Sequence, residues 1–347
     1  MMRIERKKLL AALEPLKPAL AVRTVVPAQL QIWFNKKYAD AHDGGFGVRT
    51  TFETPFDFGV PGKLLINLLE QSEAEEVTLE PKENNLAFKA GKSLIKLAIL
   101  DKVKRPKFYP DKPESDVLAT LKVSKELIAG LRRVFTLRPA NPKRLEHHGV
   151  CIYSTGKELE LYTTDSRALA LQPVNQKFAV KRALLPRVFA EQLVAQCEEN
   201  AVLELHEDHF RVLARKQTML YSNVLDISGM LDLPSYADRF YDPKVAPPFV
   251  IPREFEAALE RVTMMVGPKE DPMITLKTSG KKLMLGAEFK SGELLEEFDV
   301  DKALPTRSVS VVVTPLLAVP GVDKMMIGPE AVTLCGKDDF LYFLALK

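Results

Sequence analysis

The chain has 347 residues, 46% of them hydrophobic and 27% charged, the composition of a soluble globular protein long enough for two or three domains. No apolar run approaches the roughly 18–20 residues that a membrane span needs, and Cys151, Cys197 and Cys335 are too few and too scattered for a disulfide framework or a zinc site. Lys and Arg number 49 against 46 Asp and Glu, a net charge of +3, so any nucleic-acid contact depends on where the basic residues sit and not on bulk charge.

The opening stretch MMRIERKKLLAALEPLKPAL alternates charge with leucine and lacks the uninterrupted apolar core of a signal peptide, so a reducing cytoplasm is the expected setting. Within it, Leu9, Ala12, Leu13 and Leu16 fall at i, i+3, i+4 and i+7, one face of a helix. GGFG (44–47) reads as a hairpin turn, because Val-Arg-Thr follows where a phosphate loop needs a helix carrying Lys-Ser/Thr. VPGKLLINLL, from Val60, predicts a second helix with proline at its first position, where the missing N–H would be unpaired anyway. Residues 77–97 alternate about a polar turn and predict a hairpin, and KRPKFYPDKPESD (104–116) predicts a linker.

The same order then repeats. SKELIAGLRRV carries Leu127, Gly130, Leu131 and Val134 on one helical face, the small residue allowing close approach to a sheet. RPANPKRLEHH (138–148) is a basic loop. LYTTDSRALALQPV (161–174) sets two apolar strands about Asp165-Ser166-Arg167, which is either a plain turn or the edge of a functional surface. LPRVFAEQLV, from Leu185, is the second helix of this copy, and 201–221 its hairpin. HEDH (206–209) falls in that hairpin's turn; its two histidines are three apart and not four apart on a helix, so a solvated turn is expected and not a metal site. LPSYADRFYDPKVAPP (233–248) predicts another linker. PREFEAALERV then repeats the first helix with Phe255, Ala258, Leu259 and Val262, TPLLAVPGV from Thr314 is a second helix cut short by Pro320-Gly321, and 324–344 is the third hairpin.

Three ordered signatures recurring at roughly 120 residues define an internal repeat. The predicted fold is α+β: three tandem copies of one domain, two helices packed on antiparallel sheets, over 1–116, 117–243 and 244–347. No GxSxG is present, Cys151 lies inside an alternating strand, and His147-His148 have no Cys or acidic cluster beside them, so no catalytic residue, metal site or cofactor is expected. Basic residues mark the helices and one loop: Lys63, Arg132, Arg133 and Arg187, with Arg138, Lys143 and Arg144. Each helix alone reads as an ordinary solvated face. Copies arranged in an arc would turn these faces to one concave side, which would meet DNA through phosphates without reading bases.

Over essentially its whole length the sequence resembles the bacterial DNA polymerase III β subunit, the sliding clamp. The stretches that carry the resemblance are ERKKLLAALEPLKPALAVRTVVP (5–27), VPGKLLINLL, GVCIYSTGKELELYTTDSRALA (149–170), LDISGMLDLPSY (225–236) and FLALK (343–347). The resemblance implies a head-to-tail homodimer forming a six-domain ring. Such a ring would encircle double-stranded DNA without sequence preference and tether a polymerase in DNA replication, acting as a processivity factor and not as an enzyme. A clamp loader and other proteins bearing clamp-binding motifs are further expected partners. The TD motif would border a peptide groove between the second and third domains, with Thr164, Ser166, Arg167, Leu169, Pro234, Leu344 and Leu346 at matching positions. Arg23 matches a DNA-contacting loop arginine, and Arg144 a basic position where Leu145 and Glu146 replace expected aromatics. For the ring interface Phe108 matches a first-domain apolar position, and Met264 and Met265, ending the third domain's helix, belong either to that interface or to the internal core.

The motif departs from the family's at several points. Arg167 stands at the usual His, Ala168 at the usual Arg, His147 at an expected leucine, Arg239 near an expected valine, and Ala345 at the tail proline. A more polar groove follows, with weak or absent binding of the usual bacterial motif peptide. Two other readings stay open: a clamp-like scaffold without ring closure, and an enzyme on the same scaffold with a site assembled from distant segments.

Overall fold

The computed structural model describes residues 1–107, 116–137, 144–265, 272–290, 292–317 and 319–346. β1 (Met2–Glu5) runs into α1 (Arg6–Leu13), which buries Leu9 and Leu13. At Pro15 and Pro18 the helix tightens into a 3-10 segment (Glu14–Ala19) that still buries Leu16, since each proline removes an N–H that an α-helix would use. β2 (Gln31–Asn35), β3 (Tyr38–His42), β4 (Phe46–Thr51) and β5 (Phe58–Pro61) precede α2 (Gly62–Gln71), with Pro61 at the N-cap, one residue before the expected position. β6 (Glu76–Lys82), β7 (Asn85–Ala90), β8 (Ser93–Ala98) and β9 (Leu100–Asp101) follow.

The middle of the chain holds β10 (Val117–Lys122), α3 (Lys125–Val134), β11 (Gly149–Ser154), β12 (Leu159–Thr164), β13 (Ala168–Val174), β14 (Arg182–Pro186), α4 (Arg187–Gln196), β15 (Val202–His206), β16 (His209–Leu213) and β17 (Met219–Asn223). The last part holds α5 (Leu233–Phe240), β18 (Phe249–Val250), α6 (Phe255–Met264), the long hairpin β19 (Met273–Phe289) and β20 (Gly292–Val312), α7 (Val313–Leu317), β21 (Val322–Ile327), β22 (Ala331–Gly336) and β23 (Leu341–Ala345).

Two sequence expectations change. Each predicted hairpin is a three-stranded meander, because a second turn follows the first: Gly91 with φ +57°, the 3-10 turn Arg215–Gln217, and Asp338–Asp339 with φ of 56° and 58°. The start of the second predicted linker is helix α5, because Leu233 and Ala237 lie one turn apart on a buried face and Pro234 opens the first turn. α7 is only five residues long, as the Pro320-Gly321 pair requires.

The chain forms two compact units, Met1–Lys125 with Leu185–Leu225 and Glu126–Leu184 with Asp226–Lys347. The first contains a four-stranded sheet, β1-β6-β7-β8, and a nine-stranded sheet, β10-β15-β16-β17-β4-β3-β2-β5-β9. Strands from the first two expected repeats meet where Tyr221 on β17 pairs with Gly47 on β4. A Cβ at residue 47 would come within 2.2 Å of the Tyr221 ring, so only glycine fits there. Near this seam Asp40, fully buried, takes bidentate bonds from Arg49 (Nε 2.6 Å, Nη2 3.2 Å) and a third from Arg105. α4 covers the sheet by packing Phe189 on Phe46 and Phe210.

The second unit contains an eight-stranded sheet, β14-β11-β12-β13-β23-β22-β21-β18, and the β19–β20 hairpin. Here the seam is between β13 and β23, with Ala168 opposite Leu344 and Leu169 opposite Phe343. α3 lies on this sheet through Leu127, Leu131 and Val134, all buried. At Gly130 a Cβ would sit 3.1 Å from Leu161, Gln172 and Val174 side-chain atoms, the close approach that the small residue was expected to allow.

Candidate functional site

The turn at Asp165-Ser166-Arg167 is built by its own side chains. Asp165 Oδ1 accepts from the Arg167 and Ala168 N–H groups at 2.9 and 2.8 Å, and Thr164 Oγ1 accepts from Ser166 N at 3.1 Å while donating to Ala168 O at 2.7 Å. These bonds compensate Ser166 for a φ of +72°, a conformation that a residue with a Cβ adopts reluctantly. Ser166 Oγ lies 2.8 Å from His147 Nε2, and Ala345 N donates to Arg167 O at 3.0 Å, so the turn is anchored to a 3-10 segment (Leu145–His148) and to β23.

Beside this turn lies a cavity of about 240 Å³, wholly within the second unit. Ala168, Leu169, Leu231, Leu233, Tyr236, Phe240, Phe343 and Ala345 form its apolar walls, and Arg144, Glu146, Thr164, Ser166 and Arg167 its polar side. α5 supplies an aromatic ladder: Tyr236 and Phe240 have ring centroids 6.2 Å apart, and Phe240 stands 6.1 Å from Phe343. Tyr153 fixes the approach to α5 by donating to Leu231 O at 2.6 Å. Burial pushes its phenol up to about 12, so the donating proton is retained.

Of the ten residues expected at the groove, Thr164, Ser166, Arg167, Leu169 and Ala345 line the cavity and the other five do not. Leu344 points to the opposite face of β23 from Phe343 and Ala345, by the two-residue period of a strand, and is buried. Leu346 is held by its N–H to Glu330 O at 2.9 Å, and Pro234 shapes the start of α5. Arg239 is 62% exposed and pairs with Glu330 at 2.6 Å. His147 is buried behind Ser166. The polarity of the cavity therefore comes from Arg144, Glu146 and the turn, not from His147 or Arg239. Tyr236, Phe240 and Phe343 were missed in the sequence, although the spacing of Leu233, Ala237 and Phe240 carried a helical signal.

The residues expected on DNA divide by environment. Arg23 and Arg132 are exposed and form no ion pair among the described residues. Lys63 sits half-buried in the first turn of α2. Arg187 pairs with Glu191 at 2.9 Å. Arg133 donates to Gln172 Oε1 (2.9 Å), Lys337 O (3.1 Å) and Asp338 Oδ2 (2.6 Å), so its guanidinium ties α3 to the β22–β23 turn. Arg144 is on the cavity rim. Arg138, Lys143 and Phe108 lie outside the described residues. Met264 is 80% exposed at the end of α6, with Met265 half-buried beside it.

HEDH is also corrected. Only Glu207 and Asp208 form the exposed turn; His206 and His209, on the strands, are buried and stacked with centroids 4.3 Å apart. No group of three metal-ligating side chains occurs among the described residues. All three thiols are buried and pushed upward by burial, Cys335 to about 11 and Cys197 to about 12, the reverse of what a nucleophile needs.

The fold is that of the bacterial sliding clamps. The chain is similar to a putative DNA polymerase III β subunit of Eubacterium rectale, with a TM-score of 0.84, 14% identity, and 99% of this chain and 98% of that one covered. It is similar to the sliding clamp of Bartonella birtlesii bound to griselimycin at TM-score 0.84 and 16% identity, covering 100% and 98%. The β clamp of Helicobacter pylori bound to a DNA ligase peptide matches at TM-score 0.78 and 14% identity, covering 100% and 99%. No protein-family model matches the chain, and no curated protein matches it in sequence.

Proposed function

We propose that this chain is a sliding clamp: a DNA processivity factor, not an enzyme, that encircles duplex DNA and tethers a replicative polymerase and other proteins. The observation that carries the reading is end-to-end likeness to sliding clamps, with nearly all of both chains covered. In this reading the segments 1–116, 117–243 and 244–347 are three clamp domains, and two chains close head to tail into a ring through Phe108, Met264 and Met265. Arg23, Lys63, Arg132 and Arg187, with Arg138, Lys143 and Arg144, make loose phosphate contacts that permit sliding. The cavity beside Thr164 and Leu169 receives the linear motifs of polymerase, clamp loader and repair proteins. Its size and apolar walls support this, since a buried Leu or Phe anchor contributes most of the energy of such a contact. Tethering then raises the polymerase's effective concentration at the primer end without tight DNA binding.

Two measurements test this. Negative-stain averages should show closed rings of six similar lobes around a hole wide enough for a duplex. Protein loaded on nicked circular DNA should stay bound through a high-salt wash and be released when the circle is cut. Crescents that bind DNA equally on circles and linear fragments would exclude the topological mechanism and favour an open scaffold.

A further inference from the structure

We propose that Glu146 makes the cavity selective for a basic side chain, so that a docked peptide places a lysine or arginine against this carboxylate beside its apolar anchor. The proposal rests on the reading of the cavity as a peptide site and adds to it a charge requirement.

Glu146 is 2% exposed, yet it lines the cavity. Its Oε1 has no hydrogen-bond partner among the described residues. Among the described residues its ion-pair partner is Arg144, whose Nη1 stands 3.9 Å away, beyond hydrogen-bond distance, on a side chain that is 57% exposed. A carboxylate withdrawn from water with an oxygen unpaired is costly, and a charge-assisted N–H bond is what removes that cost. Among the described residues no group supplies such a bond to Oε1; a ligand in the cavity can.

The neighbours favour a cation over a neutral donor. Leu169, Leu231 and Leu233 keep the local dielectric low, where an ion pair with good geometry outweighs an amide contact. Arg144 can withdraw to solvent at little loss, because an exposed pair at this distance contributes almost nothing. Arg167 on the rim is exposed, so its charge is screened.

The test uses the full-length protein and fluorescein-labelled heptapeptides ending in Leu-Phe, with lysine, norleucine or glutamate at each upstream position in turn. Fluorescence polarisation gives Kd. At one position lysine should bind at least about tenfold tighter than norleucine, and in Glu146→Gln the ratio of the two Kd values should fall to about one. Binding without a lysine preference, a preference for glutamate, or a preference that survives Glu146→Gln overturns the inference and leaves the peptide site standing. If no heptapeptide binds wild type, both fall. A wild type without the lysine preference overturns the inference whether or not Glu146→Gln folds, and should that variant misfold, Glu146→Asp, which keeps the carboxylate but draws it back, should weaken the lysine preference; an unchanged preference there overturns the inference too.

Discussion

Tyr236→Ala separates the cavity's function from its stability. Tyr236 forms one aromatic wall but is 41% exposed, so truncation opens no core void, and stability should change by no more than about 0.5 kcal/mol, or roughly 2 °C in Tm. A peptide anchor buried in the 240 Å³ cavity gains about 1.5–3 kcal/mol from apolar burial. Losing one ring face removes about 1–1.5 kcal/mol of that, close to tenfold in Kd. The assay is polarisation with the tightest heptapeptide alongside a thermal melt. Leu295→Ala, a residue 76% exposed and not lining the cavity, is the control. A Tyr236→Ala protein with an unchanged melt and unchanged Kd would refute the assignment of the cavity as the docking site.

Three further outcomes are expected. Asp40→Asn leaves two guanidiniums without their shared carboxylate in a fully buried position, and urea titration should show a loss of about 3–5 kcal/mol. Burial lowers the pKa of both His42 and His209, and His42 Nδ1 accepts a hydrogen bond from Gly44 N at 3.0 Å that only the neutral ring can take. The unfolded chain therefore binds protons that the folded chain does not as pH falls below about 6.5; melts should drop between pH 7.5 and 5.5, and His209→Gln should flatten the fall. Finally, Arg132→Ala should weaken retention on DNA and lower its salt dependence with little change in Tm, whereas Arg133→Ala should lower Tm by cutting the tie from α3 to Asp338.

The sequence disclosed what repeats with a local period. The faces Leu127, Gly130, Leu131, Val134 and Phe255, Ala258, Leu259, Val262 are buried as read, because one helix's periodicity needs no distant partner. The Asp165 turn was legible for the same reason: its hydrogen bonds close within four residues. The cavity was only half legible. Its walls come from three separate stretches, 144–169, 231–240 and 343–345, and only strand pairing decides that Phe343 and not Leu344 faces inward. The tie from Arg133 to Asp338 was hidden because the two lie about two hundred residues apart. HEDH looked like a solvated turn because sequence alone did not place its histidines on the strands instead of in the turn.

The seam between β4 and β17 also has a consequence in time. Phe46 pairs with Ser222, so at a ribosomal rate of roughly 5–20 residues per second β4 emerges about ten seconds or more before its neighbour exists. Through that interval the nascent chain carries a bare row of amides and carbonyls along a strand that includes Phe46 and Val48, the kind of edge that recruits other strands. β13 waits similarly for β23, which follows it by more than 160 residues, Ala168 pairing with Leu344. A ribosome-stalled fragment ending before residue 219 should therefore be a stronger chaperone client than the full chain.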